Sequence, residues 1–390
     1  MKVTGYAYPW DVVDDPGFVE RVRELGVDEV AVAVSYHSAR AATPWSPERT
    51  SVVARHAALY RPVRDEAWGE LKPAEPDWVE SRDSAGDAVR ALIEAGIPAA
   101  AWIVLTHNSR LGTEFPDYTV RNCFGERYPW ALCPGAPAVR EYAANVTAES
   151  LAGLDFATVI LEACGPLGAV HQHQHEKTDG VWSPAVARLL SICCCDDCLD
   201  AWAAAGQDPA KALGKLRAEV RRLIDSGDLR ATEDKILPTL RQVLLDTRQN
   251  ATDALRRAVL EKIPSGPRIV LHGAMDPWVT GALPGLTPSA PDDVDAVVLQ
   301  NWAPGHPSVN AVAAARAKLP EKVAVGSYIT AVAASPVPDI EAYTTELGKA
   351  GATELHLYHL GLAGPGRWAD LIAAVSAAQE LGSAATSGER

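Results

Sequence analysis

Hydrophobic positions along the chain gather into eight short, nearly unbroken runs: Val3–Tyr8, Glu29–Tyr36, Ala99–Thr106, Ala157–Glu162, Arg268–His272, Ala296–Gln300, Val323–Tyr328 and Glu354–Tyr358. Few of them alternate polar with apolar residues, so they read as parallel strands covered on both faces. Helical patterns lie between them, at Phe18–Leu25, Asp87–Ala95, Ala138–Ala152, Val309–Ala317, Asp339–Lys349 and Arg367–Leu381. The first two run into Gly26 and Gly96, the residue type best suited to a left-handed helix end. Eight strands alternating with helices predict an α/β fold, a single (β/α)8 TIM barrel over residues 1–390. An open doubly wound sheet would use the same elements, and the count of eight favours closure. The stretch 185–263 is too long for one barrel helix. It is expected to be a helical insertion after the fourth strand, with the pattern Thr232–Ile263 interrupted at Pro238.

Composition narrows the function classes. The chain has 390 residues, with 36 Lys+Arg against 50 Asp+Glu and a formal charge of −14. An acidic surface lacks the basic footprint that nucleic acid requires, and it is repelled by anionic membrane. No apolar run is long enough to span a bilayer. Met1 leads directly into the first strand-like segment, so no signal peptide is expected and the reading is cytoplasmic. The expected partner is a small molecule, with assembly into a homo-oligomer left open.

In barrels of this kind the chemistry sits at the C-terminal strand ends and the loops that follow. Reading those ends in order gives Tyr6, Tyr8, Trp10 and Asp11; Tyr36, His37 and Arg40; His107, Asn108 and Arg110; Glu162 and Cys164; His272, Asp276 and Trp278; Gln300, Asn301 and Trp302; Ser327 and Tyr328; Tyr358 and His359. Aromatic faces pack on sugar C–H surfaces, and amides, hydroxyls and imidazoles bond sugar hydroxyls. The ring therefore suits a neutral polyhydroxylated ligand. It lacks the Gly-rich loop and lysines of a phosphate site. Each aromatic alone is equally well explained as rim packing; their conjunction at nearly every strand end points to binding.

Glu162 closes the run Ala157–Leu161, where partial desolvation is expected to raise its pKa toward that of a general acid. The bland alternative is a structural Glu paired with a rim Arg. The loop His171-Gln172-His173-Gln174-His175-Glu176 places three imidazoles at alternate positions, which share a face only in extended chain. It reads as a polar loop at the pocket mouth, with His175 and Glu176 as substrate contacts, or as the ligand set of a catalytic metal.

Four of the seven cysteines lie between 193 and 198. In a reducing compartment such a cluster binds metal more readily than it forms disulfides. Cys193, Cys195 and Cys198 form C-x-C-x-x-C, three thiolates suited to tetrahedral Zn²⁺ that need one distant fourth ligand, Cys133 or Cys164. Cys123 and Cys194 read as small buried apolar residues, and Asp196-Asp197 as a helix start.

Over roughly residues 125–205 the chain resembles the β-galactosidases of glycoside hydrolase family 42. The resemblance rests on Cys133-Pro134, Pro137 and Arg140-Glu141 before the fourth strand and on Glu162 at its end. After it come Cys193, Cys195 and Cys198, then Ala201-Trp202. It implies a structural zinc on Cys133, Cys193, Cys195 and Cys198, and Glu162 as the acid/base. The chain departs from the family pattern in two places. Leu161 stands where the family has Asn before its Glu, and the seventh strand, Val323–Thr330, lacks the nucleophilic carboxylate.

These residues lead to the expectation of a glycoside hydrolase acting on a small soluble glycoside. Glu162 is the acid/base, and Asp276 after the fifth strand is the best-placed second carboxylate, with Glu176 next. A separation of about 5–5.5 Å between the two carboxyls predicts retention and about 6.5–9.5 Å inversion. The alternatives are a metal-dependent hydrolase built on His171, His173 and His175, and a carbohydrate-binding barrel without catalysis.

Overall fold

Strand β1 (Lys2–Ala7) pairs in parallel with β2 (Glu29–Tyr36) on one side and with β8 (Glu354–Tyr358) on the other, and this second pairing closes the sheet. Between them run β3 (Ala99–Val104), β4 (Thr158–Glu162), β5 (Arg268–His272), β6 (Ala296–Gln300) and β7 (Ala324–Thr330), each parallel to its neighbours. The computed structural model describes residues 1–170, 177–178, 180–333 and 337–387, the side chains of 384–387 excepted. All eight strands appear within two residues of the predicted bounds. Their nearly unbroken burial matches a sheet covered outside by helices and filled inside by side chains.

The helices follow the hydrophobic pattern for the same reason. Phe18–Leu25 turns Phe18, Val22 and Leu25 inward and stops at Gly26, whose φ of 76° is left-handed. Ser84–Glu94, Pro137–Leu151, His306–Lys318, Ile340–Lys349 and Pro365–Ser387 occupy the other predicted places.

Pro238 behaves differently from the expectation. It opens the helix Pro238–Leu260 instead of interrupting it, and residues 231–237 are not helical. Proline has no N–H to lose at a first helical position and its φ is already set, so the ring starts a helix where it would break one further in. This helix lies against Pro137–Leu151 and sends Leu255 and Val259 into the barrel's apolar cluster. It therefore acts as the barrel's own helix between β4 and β5. The helices Pro184–Leu190, Asp196–Ala204 and Pro209–Asp225 gather instead around a second cluster that includes Leu189, Trp202, Leu216 and Leu244. Two antiparallel hairpins were not anticipated: Ala39–Ala42 with Ser51–Ala54, and Thr119–Arg121 with Arg127–Leu132. The second leads directly into Cys133.

Candidate active site

The C-terminal ends of the strands surround a cavity of about 390 Å³, within the range typical of small-molecule sites. Its described walls are Tyr36 and His37 from the end of β2, Trp102 from β3, Glu162 from β4, Gln300 and Trp302 from β6, Tyr328 from β7 and Tyr358 from β8. Val170 and the segment Val279–Leu283 complete it. Glu162 is the only carboxylate among these described lining residues.

The aromatic groups hold one another. Tyr36 meets Trp102 edge-on at 4.7 Å between centroids, and Trp302 lies 5.1 Å from Tyr358. Behind this layer, Tyr8 stacks on Trp10 at 4.5 Å and on His359 at 4.3 Å, and its hydroxyl meets that of Tyr358 at 3.4 Å. His107 sits against His37 at 4.3 Å. Two lining groups, the Trp302 indole N–H and the Tyr328 hydroxyl, are buried without a protein partner. Buried polar atoms are nearly always bonded, so these two are the atoms a hydroxylated ligand would satisfy.

Glu162 is buried and held from two sides. The indole of Trp102 donates to its Oε2 at 2.8 Å, and Nδ1 of His272 lies 3.3 Å from the same oxygen. Burial pushes its pKa up, but His272, His37 and Trp102 together outweigh burial and hold it below the ordinary glutamate value. This corrects the expectation of a raised value. The strand end is desolvated as predicted, but it is furnished with donors that favour the anion. Glu162 is thus ionised at neutral pH.

The sequence-derived candidates separate into three groups. His37, Glu162, Gln300, Trp302, Tyr328 and Tyr358 line the cavity; Tyr8, Trp10, His107, His272 and His359 support it. The others serve elsewhere. Asn108 caps the helix Ser109–Glu114, accepting from the Leu111 N–H and donating to the Tyr142 hydroxyl. Arg110 pairs with Glu114 and the Lys72 carbonyl. Arg40 is exposed on the Ala39–Ala42 hairpin strand. Asn301 is buried and donates to the Ser308 carbonyl at 3.3 Å. Asp276 is 44% exposed, bonds Arg188 at 2.9 Å and does not line the cavity. His175 and Glu176, with His171 and His173, lie outside the described residues. Asp11, at the end of β1, lies behind the wall 3.6 Å from His359, and burial raises its carboxyl to about 8.

Trp102, Val170 and the Val279–Leu283 segment of the wall escaped the sequence reading. Trp102 lies inside a strand instead of at its end; its signal was an indole in an otherwise small, aliphatic run. The Val279–Leu283 segment is a loop with no chemical signature.

The cysteine cluster forms as predicted. The sulfurs of Cys133, Cys193, Cys195 and Cys198 all lie within 4.8 Å of one another, and Cys133 is 3.5, 3.6 and 3.7 Å from Cys193, Cys195 and Cys198 respectively. A tetrahedron with metal–sulfur arms near 2.3 Å has edges of ~3.8 Å, so the three spacings from Cys133 are close to those of a four-thiolate metal site. The backbone N–H groups of Gly135 and Cys195 point at Cys133 and Cys193 sulfurs, as thiolates require. Cys164 is not part of the group; it is buried, and burial lifts its thiol to about 12.

Comparison with known proteins supports the architecture. No protein-family profile matches the chain, and no curated protein matches it in sequence. Among solved structures, the catalytic domain of a β-amylase from Paenibacillus polymyxa superposes with a TM-score of 0.57 at 15% identity, covering 97% of this chain and 98% of that one. A β-galactosidase from the psychrophilic Marinomonas ef1 gives 0.57 at 14% identity over 99% of this chain and 60% of its own length. An α-L-fucosidase from Paenibacillus thiaminolyticus gives 0.57 at 13% over 97% and 49%. The chain shares their fold, and spans about half of the fucosidase and three-fifths of the galactosidase.

Proposed function

We propose that this protein is a glycoside hydrolase acting on a small soluble glycoside, with Glu162 facing the scissile bond. The supporting observation is the placement of one buried, ionised carboxylate in a cavity walled by Tyr36, Trp102, Trp302, Tyr328 and Tyr358. Aromatic faces flank a sugar ring, while the unpartnered Trp302 N–H and Tyr328 hydroxyl take its hydroxyl groups. Glu162 works from its ionised form, as a base toward water or as the anion beside developing positive charge at the anomeric carbon. To act as an acid it must first gain a proton, and His272 is the nearest titratable group, 3.3 Å away. Asp276 serves as the second carboxylate only if its ion pair with Arg188 opens and the loop leading to Val279 carries it inward.

The four-cysteine cluster is proposed to hold zinc, with a structural role. It sits where the Arg127–Leu132 hairpin meets the helix Asp196–Ala204, and a closed set of four thiolates leaves no position for a substrate. A second reading, a carbohydrate-binding barrel without turnover, is favoured by the single carboxylate on the described wall. A screen of chromogenic glycosides with wild type and Glu162→Gln separates the two. The glycosidase loses about 10²–10⁴-fold in rate on substitution, whereas the binding barrel shows sugar affinity and no turnover in either form.

A further inference from the structure

A continuous chain of polar side chains runs through the barrel interior from Glu162 toward the opposite end. His272 Nδ1 lies 3.3 Å from Glu162 Oε2, a close approach that is not aligned as a hydrogen bond and leaves Nδ1 without another partner, and His272 Nε2 is 2.9 Å from the Tyr6 hydroxyl. The same hydroxyl is 2.9 Å from His356 Nδ1, and His356 Nε2 is 3.3 Å from Glu354 Oε2. Tyr6, His272 and His356 are fully buried. Gly326 leaves room for the last ring: a Cβ there would stand 3.0 Å from His356 Cδ2 and Nε2. The other oxygen of Glu354 is taken by Arg268.

Counting protons decides what this chain holds. It has four gaps, Glu162–His272, His272–Tyr6, Tyr6–His356 and His356–Glu354, and each needs one proton. Two neutral imidazoles and one phenol supply three, and ionised carboxylates supply none. One gap would then face two acceptors across a buried space, which is costly. A fourth proton fills all four.

We propose that the Glu162–His272–Tyr6–His356–Glu354 chain holds one extra proton, shared between the two imidazoles through Tyr6, and that Glu354 thereby sets the charge beside Glu162. With the proton on His272, that ring donates from Nδ1 to Glu162 and from Nε2 to Tyr6. Tyr6 donates to His356 Nδ1, and His356 donates from Nε2 to Glu354. Passing the His272 Nε2 proton to Tyr6 while the Tyr6 proton passes to His356 Nδ1 moves the positive charge to His356. All four bonds remain and no atom is gained or lost.

The surroundings bear on where the charge rests. His37 lies near the Glu162 end, with Tyr328 and Tyr358 also facing it. At the other end stand Arg268 and Glu29, the latter already bonded by Thr4, Thr158 and Lys2. Burial holds His356 below the ordinary imidazole value, against the pull of Glu354.

Glu354→Gln is the discriminating variant. Arg268 keeps the amide oxygen, so the amide NH₂ turns to His356 and supplies the fourth proton itself. The chain is then complete with both rings neutral, and His272 is fixed with its proton on Nδ1. Tyr6→Phe is the second variant; it cuts the chain into two Glu–His pairs that each need a single proton.

Nitrogen-15 spectra of the histidine rings at pH 8, well above the free imidazole value of about 6.5, read the result. Wild type is expected to show one imidazolium that is absent from both folded variants. A wild-type spectrum with only neutral rings, or an imidazolium that persists in both variants, overturns the proposal. Where only one variant folds, that variant decides alone. The kinetic consequence rests on the glycosidase reading: in Glu354→Gln the acid limb of kcat/KM moves to higher pH, because Glu162 loses its cationic neighbour. Absence of turnover in wild type defeats that reading and leaves the spectroscopic test of the proton intact.

Discussion

The indole N–H of Trp102 donates to Oε2 of Glu162 at 2.8 Å, joining adjacent strands across the barrel interior. This bond helps keep Glu162 ionised despite burial, alongside His272 and His37. Trp102→Phe keeps a ring in the wall and removes only the donor. The Glu162 pKa is expected to rise, since the anion loses a partner and burial remains. The acid limb of the pH–rate profile then moves to higher pH, and the fold loses about 1–3 kcal/mol. A profile on the most active glycoside checks the first effect and denaturant unfolding the second.

Glu354 makes a separate prediction about acid stability. Burial raises its carboxyl, but His356 and then Arg268 outweigh burial and lower it from 4.5 to about 2. A carboxyl depressed in the folded state contributes stability that is complete above its unfolded pKa and lost as pH falls through the folded one. The window here is from roughly pH 4.5 down to about 2, and the contribution is on the order of 3 kcal/mol. Wild type is therefore expected to lose stability across that window, while Glu354→Gln starts lower at pH 7 and shows a flatter decline. Unfolding midpoints measured against pH compare the two slopes.

Much of this was legible from the sequence because the signals were repeated or chemically narrow. Eight apolar runs with intervening helices leave few arrangements, and all eight strands appeared. C-x-C-x-x-C names three cysteines of one cluster, and Cys133 joined them. What stayed hidden depends on the third dimension. The direction of the Glu162 shift turns on His272 and Trp102, which lie 110 and 60 residues away in the chain. Asn108, Arg110 and Asn301 were polar residues at the right place in the chain, but Asn108 caps a helix, Arg110 pairs with Glu114 and the Lys72 carbonyl, and the Asn301 amide donates to the Ser308 carbonyl, all away from the cavity wall. Pro238 misled because proline punctuates a pattern without saying on which side the helix lies. The proton chain through Tyr6 was invisible because its five members come from four strands far apart in sequence, β1, β4, β5 and β8.

The cysteine cluster predicts dependence on metal. Protein purified under reducing conditions without chelator is expected to carry one zinc per chain by elemental analysis. Cys195→Ser breaks the closed set, and loss of a structural metal belongs among the larger single-residue effects, above about 4 kcal/mol. The thermal midpoint should fall both in this variant and after strong chelation. On the glycosidase reading, the residual folded protein should keep its pH–rate profile, because the cluster is not part of the Glu162 cavity wall.

Asp276 and Arg188 form the last test, because their pair tells whether the loop after β5 rearranges for catalysis. In the structure the Asp276 carboxylate bonds Arg188 at 2.9 Å and accepts the Trp278 N–H at 3.0 Å. Those contacts fix the turn that leads into the Val279–Leu283 wall. If they describe the working enzyme, Asp276→Asn retains the backbone bond and loses only a half-exposed ion pair. The rate then changes by less than about threefold, or ~0.6 kcal/mol of barrier, with the change falling on KM through the wall segment. A loss of kcat comparable to that of Glu162→Gln would instead show that the pair opens and Asp276 reaches the substrate. Added azide then distinguishes the roles, since a small anion can replace a missing nucleophilic carboxylate and yields the glycosyl azide of inverted configuration.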